Sequence, residues 1–148
     1  MPDTVSPPLF SALIAGSLLT LQTVLMLTVG MYRTSASSGV GHEGDPALER
    51  LVRRHANLAE NAAIFLVVLA LYELLFGTTK FVMIIGLVFA TARVMHVVGF
   101  SSDAGSHLVN PTGGRRVFVL LRAGGAGLTA LSTLALGLTL VVTLVRAL

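Results

Sequence analysis

Residues 45 to 61 read DPALERLVRRHANLAEN, and residues 62 to 71 continue as AAIFLVVLAL, so a polar-edged helix start runs without a break into a membrane-type segment. At about 100° per residue, Arg50, Arg53, Arg54, Asn57, Glu60 and Asn61 share roughly 120° of arc, while Leu51, Val52, Leu58, Ala59, Ala62 and Ala63 occupy the rest. Asp45 can cap the first turn with its carboxylate, and Pro46 suits the first helical position because its missing N–H would be unpaired there anyway. Glu49 faces the positive end of the helix. The helix therefore starts near Pro46, and its polar stripe carries Glu60 towards lipid. An ionised carboxylate at that depth costs about 2.5–3.5 kcal/mol on insertion scales unless it faces the bundle interior and finds a partner.

The rest of the chain has the same character. Hydrophobic residues make up 54% of it and charged residues only 11%, with a mean hydropathy of +0.85, a balance that excludes a water-soluble domain. The sequence pI near 10.2 does not point to nucleic acid, because the cations are few, lie beside or inside apolar runs, and have no aromatic residues interleaved as a stacking platform. The absence of cysteine removes disulfides, thiolate nucleophiles and cysteine metal sites, so any sulfur chemistry must arrive with a ligand.

The apolar segments predict helices over about residues 8–32, 46–76, 80–100 and 115–145. The first run is too long for the core of a cleaved signal peptide and is expected to be retained as a span, with Tyr32 and Arg33 at the interface. TSASSGVGHEG (34–44) and SSDAGSHLVNPTGG (101–114) are expected loops, and Gly77, Thr78 and Thr79 a tight turn. The expected architecture is an all-α, integral membrane, four-helix antiparallel bundle forming one domain over residues 1–148. Arg33, Arg50, Arg53, Arg54, Arg115 and Arg116 flank the first and third loops, against only Lys80 and Arg146 on the other side. The positive-inside rule then places those two loops in the cytoplasm and both termini outside.

At about 1.5 Å of rise per residue, Gln22, Glu60, Arg93 and Arg122 come to one level in the inner leaflet, while Glu73 falls near the outer surface. Two arginines and one carboxylate at one level leave positive charge over, for which an anionic guest is the natural complement. Glu60 is expected to be paired with an arginine, Arg93 being the best candidate by depth; the plainer alternative to a guest is that Glu60 simply neutralises Arg93 while Arg122 snorkels to lipid phosphate. His96 shares a side of its helix with Arg93, His55 points away from Glu60, and His42 and His107 fall in loops. Their spacing suits neither a metal site nor haem ligation. Gly124, Gly125 and Gly127, with Ala123, Ala126 and Ala130, give the fourth helix a small-residue face suited to close packing.

The block Glu49-Arg50-x-x-Arg53-x-x-x-Asn57-x-x-Glu60, followed by a span and then an intramembrane Arg93, resembles the MAPEG family, the membrane-associated proteins of eicosanoid and glutathione metabolism, in a bacterial-type form. The four-span topology agrees along nearly the whole chain. The resemblance implies that Arg53, Asn57, Glu60 and Arg93 hold glutathione, with Arg33 matching a first-helix arginine of that site and His96 standing where eicosanoid-handling members have tyrosine. It implies that Arg122, or else Arg115 or Arg116, stabilises the thiolate. It further implies homotrimers in a cell membrane with sites between subunits; no metal is expected, from the histidine spacing. Asn61 and Phe100 also replace tyrosines of the eicosanoid-handling members, so an eicosanoid substrate is not implied.

Residues and resemblance together lead to a membrane glutathione transferase or peroxidase in which glutathione, or another anionic thiol, attacks a lipophilic electrophile dissolved in the lipid bilayer. The alternative is a non-catalytic membrane subunit whose charge cluster binds anionic lipid or cements a larger complex.

Overall fold

The computed structural model describes residues 6–41, 44–106 and 113–148. His42 and His107 lie outside the described residues, as do parts of the first and third loops. Four long helices are present: α1 (Leu9–Ser35), α2 (Pro46–Phe76), α3 (Lys80–Gly99) and α5 (Arg116–Ala147). A single helical turn, α4 (Asp103–Ser106), and a 3-10 turn (Gly113–Arg115) lie between α3 and α5, in the stretch expected to be loop. No strand occurs among the described residues. Each long helix is long and apolar enough to cross a membrane. The chain is an all-α four-helix bundle and a multi-pass integral membrane protein.

The helix ends follow their local chemistry. Asp45 Oδ1 accepts from the amides of Ala47 (2.8 Å) and Leu48 (3.2 Å), with Pro46 in the first turn. Its Oδ2 accepts from the Tyr32 phenol at 2.8 Å, tying the end of α1 to the start of α2. Tyr32, followed by the Leu48 and Ala47 amides, holds the Asp45 carboxyl below its ordinary pKa. α1 runs a turn further than expected, to Ser35, before Ser37 adopts a positive φ of 51°. At the opposite end Gly77, with φ of 74°, closes α2, and the Thr79 hydroxyl caps α3 by accepting from the Val82 amide at 3.2 Å.

The first helix has no side-chain cap of its own. Glu73 supplies one from α2. Its carboxylate accepts from the Phe10 amide (3.2 Å), the Ser11 amide (2.7 Å), the Ser11 hydroxyl (2.5 Å) and the Thr78 hydroxyl (2.6 Å). At this end of the bundle Glu73 is buried, with a residue exposure of 1%. A carboxylate can be buried there because the free amides and the positive dipole of a helix N-terminus receive it.

Packing pairs α1 with α2 and α3 with α5, and the pairs are joined mainly through α2 with α3, α1 with α3, and α2 with α5. Phe65 of α2 stacks on Phe89 of α3, with ring centroids 3.6 Å apart, inside a core that includes Ile14, Leu18, Leu58, Leu69, Val82 and Leu136. Leucines such as Leu13, Leu19, Leu120 and Leu131 face outwards, as a lipid-facing surface requires. The exposed hydroxyls of Ser17, Thr20, Thr23 and Thr28 each donate to the carbonyl four residues back, which keeps them satisfied against hydrocarbon.

Two glycines set the α3–α5 crossing. A Cβ at Gly99 would lie 2.5 Å from the Arg122 amide nitrogen, and one at Gly125 would lie 2.7 Å from both the Ala92 carbonyl oxygen and the His96 amide nitrogen. The small-residue face of the fourth span is thus used partly within the chain, where it lets backbones approach. Ala123, Ala126, Gly127 and Ala130 remain exposed.

Candidate functional site

The polar stripe of α2, the C-terminal end of α3 and the first turns of α5 line a cavity of about 380 Å³. Arg53, Asn57 and Glu60 contribute from α2, each about one turn from the next as the helical spacing dictates. His96 and Phe100 contribute from α3, and Arg122 from α5, where the Gly99 contact brings the two backbones together. Five of the residues expected from the sequence, Arg53, Asn57, Glu60, His96 and Arg122, therefore line one space.

Three arginines line this cavity, Arg50, Arg53 and Arg122, against two carboxylates, Glu49 and Glu60. Arg50 is also ion-paired with Asp103 of α4. The Arg122 guanidinium sits over the Phe100 ring, 4.4 Å from its centroid, and the Phe100 ring is tilted against His96 with centroids 4.9 Å apart. A guanidinium on an aromatic face is held in place without giving up its in-plane N–H donors to the ring. Phe100 is thus the platform on which Arg122 is set.

Arg93 takes a different position from the one expected. It is 1% exposed, and its Nη1 donates to the Asn57 side-chain oxygen at 3.0 Å and to the Asn57 carbonyl at 3.3 Å. Asn61 Nδ2 donates to the same carbonyl at 2.8 Å. Glu60 is exposed and has no hydrogen bond or ion pair among the described residues, which corrects the expectation that it pairs with Arg93. Depth along a helix is shared by neighbouring residues but direction is not, and it is Asn57, one turn earlier, that points back at α3. Arg93 lines a second cavity of about 360 Å³, together with Asn57, Asn61, His96 and residues of α5.

Gln22 is not part of either cavity; its side-chain oxygen is buried with no partner among the described residues. Arg33 likewise does not line the cavity of its own chain, and donates instead to the Gly39 carbonyl.

Glu49, Arg50, Phe100 and Asp103 were not among the site candidates taken from the sequence. Arg50 and Glu49 stand in the motif itself, and Phe100 follows Arg93 and His96 at helical spacing, so a signal for them exists. Asp103 had none, because its approach to Arg50 depends on how α4 folds back.

No curated protein sequence matches the chain. The MAPEG family model matches residues 11–145, a span that takes in all four long helices but for the first two residues of α1 and the last two of α5, and every residue of both cavities. The chain belongs to the MAPEG family.

Proposed function

We propose that this protein is a membrane-bound glutathione transferase, with peroxidase activity open to the same thiolate, that activates glutathione or another anionic thiol for attack on a lipophilic electrophile. What chiefly supports this is the joining of Arg50, Arg53 and Arg122 with Asn57, Glu60 and His96 around one cavity at the polar end of the bundle. Glutathione at neutral pH carries two carboxylates and one ammonium. The arginines suit the carboxylates by charge-assisted hydrogen bonds, and Glu60, which has no partner of its own among the described residues, suits the ammonium. Arg93 holds the Asn57 amide from behind, and Asn57 presents its side chain to the tripeptide. Arg122 favours the thiolate by opposite-charge attraction, the effect that lowers the pKa of protein thiols beside a cation.

Arg33 serves a neighbouring subunit's cavity in a homotrimer, with the first and third loops cytoplasmic and both termini outside. Native mass in mild detergent should correspond to three chains, and a reporter fused after Leu148 should be active on the non-cytoplasmic side. A monomer, or a reporter active only in the cytoplasm, sinks the respective statement.

The deciding experiment is thiol binding to the purified protein, followed by the absorbance of bound thiolate. Arg122→Ala should keep much of the glutathione binding but lose the thiolate absorbance and most conjugation to a general aromatic electrophile. Each pKa unit of thiol activation lost is worth about 1.4 kcal/mol. Absence of thiol binding would leave the lipid-binding or structural-subunit alternative. Retained thiolate in Arg122→Ala, with loss in Arg115→Ala or Arg116→Ala, would move the role to those residues.

A further inference from the structure

The second cavity differs in chemistry from the first. Asn57, Asn61, Arg93 and His96 form its polar end, whereas α5 forms the more apolar end with Ala126, Ala130 and Leu134, beside Thr129 and Thr133. Ala130 and Leu134 are exposed, Leu134 by 59%, so the cavity opens at the surface of the chain. Arg93, at its floor, is cationic at every physiological pH. Its two hydrogen bonds both leave from Nη1 and both end on neutral oxygens of Asn57. Its Nε has no partner among the described residues, and the nearest ring, that of Phe89, is 6.0 Å away. A buried guanidinium with no carboxylate and with donors left over is a site for an acceptor oxygen brought from outside the chain. Asn57 and His96 line both cavities, so whatever occupies the second lies next to whatever occupies the first.

Resting on thiol transfer in the first cavity, we propose that the second cavity seats the electrophile, and that this electrophile is a lipophilic α,β-unsaturated carbonyl compound whose oxygen lies on the Arg93 guanidinium. It enters sideways from the bilayer between α2 and α5, with its chain along Ala130 and Leu134. The thiolate sulfur forms a bond to the β-carbon, the electrons of the carbon–carbon double bond move between the α-carbon and the carbonyl carbon, and the carbonyl π pair moves onto oxygen. The enolate charge thus appears where Arg93 donates. The α-carbon then takes one proton from water, which replaces the proton lost when the thiol ionised, and the product is a saturated carbonyl thioether. No oxidant or reductant is needed. Donors fixed where charge develops contribute most to the rate, and displacement on an alkyl halide develops no charge on an oxygen. Preference for the enal over the halide is therefore the signature of this arrangement.

The test uses the full chain in phospholipid vesicles with glutathione, comparing trans-2-nonenal with 1-iodononane, each corrected for the uncatalysed rate. Arg93→Gln should lower the enal-to-iodide ratio of kcat/KM by about 100-fold, the scale set by removing one oxyanion donor, and Arg93→Lys should restore part of it. Ala130→Phe narrows the apolar end without touching Arg93 and should raise KM for 2-nonenal relative to acrolein, which decides the matter if the Arg93 variants do not fold. Unchanged ratios in these variants, with glutathione still transferred to the iodide, overturn this assignment and leave the thiol-transfer reading standing. Failure of the parent protein to bind or transfer any thiol overturns both.

Discussion

Two glutamates on the same helix have opposite circumstances. Glu73 is sealed in the bundle with four donors on its carboxylate, two of them backbone amides of α1. Glu60 faces an open cavity, exposed, with no intrachain partner among the described residues. Rise along the helix set Glu60 in the inner leaflet and Glu73 near the outer surface, which says nothing of their partners. The difference lies in what surrounds them: a charge whose hydrogen bonds are complete within the chain serves the fold, and one that faces an open cavity without a partner of its own is available to a ligand. The same contrast separates Asp45, bonded by Tyr32 and two amides, from Arg93, which retains a buried N–H without a partner.

The sharpest way to break this contrast is to remove the Glu73 carboxylate. Glu73→Leu strands the Phe10 and Ser11 amides and two hydroxyls, and unsatisfied buried donors cost about 1–3 kcal/mol each before water relieves some of them. A net loss of roughly 3–5 kcal/mol is expected, seen as a clearly lower thermal midpoint in mild detergent, with thiol binding intact in the fraction that remains folded. A midpoint equal to that of the parent would remove Glu73 from the fold's support.

Glu60→Gln should do the reverse. Pairing with Arg93, as depth alone suggested, would have made this substitution strongly destabilising. An exposed carboxylate without a partner should shift stability by no more than about 0.5 kcal/mol. Glutathione affinity should fall, however, because the ammonium loses its counter-charge. A large drop in midpoint with unchanged thiol affinity would restore Glu60 to the structural class.

The smallest effect belongs to Asp45. Its carboxyl is more acidic in the folded chain than its ordinary value, so the unfolded chain binds the extra proton in the interval between the two values. The stability it contributes is fully present above the ordinary aspartate value, about pH 4, and is lost as pH falls through the folded value. Asp45→Asn and Tyr32→Phe should each flatten this part of the acid limb of a stability profile. An unaltered limb in both variants would mean that the Tyr32 to Asp45 bond is not maintained in the membrane.

The four spans were legible because long apolar runs, Asp45 with Pro46, and Gly77 with Thr79 are local signals, and local signals survive in a chain read one residue at a time. Arg53, Asn57 and Glu60 were legible together for the same reason, since one helix face sets their spacing. The partner of Arg93 was not. Rise per residue gives height in the bilayer, but the choice between Asn57 and Glu60 is one of direction around α2, which only packing against α3 fixes. The burial of Glu73 was not legible because two of its partners are backbone amides, which no side-chain pattern displays. The glycines of α5 were visible as a close-packing face, yet nothing in them revealed that Gly125 meets Ala92 and His96 of the same chain.

The capping of α1 by Glu73 also imposes an order in time. During synthesis Phe10 and Ser11 are made well before Glu73, so the first span reaches the membrane with its leading amides uncapped by the chain. Only when the far end of α2 has crossed can they be received. The first helix is therefore completed by the second, and a nascent chain halted before Glu73 should hold α1 as an inserted but undocked segment. This can be followed by cross-linking between positions 11 and 73 in chains stalled at successive lengths.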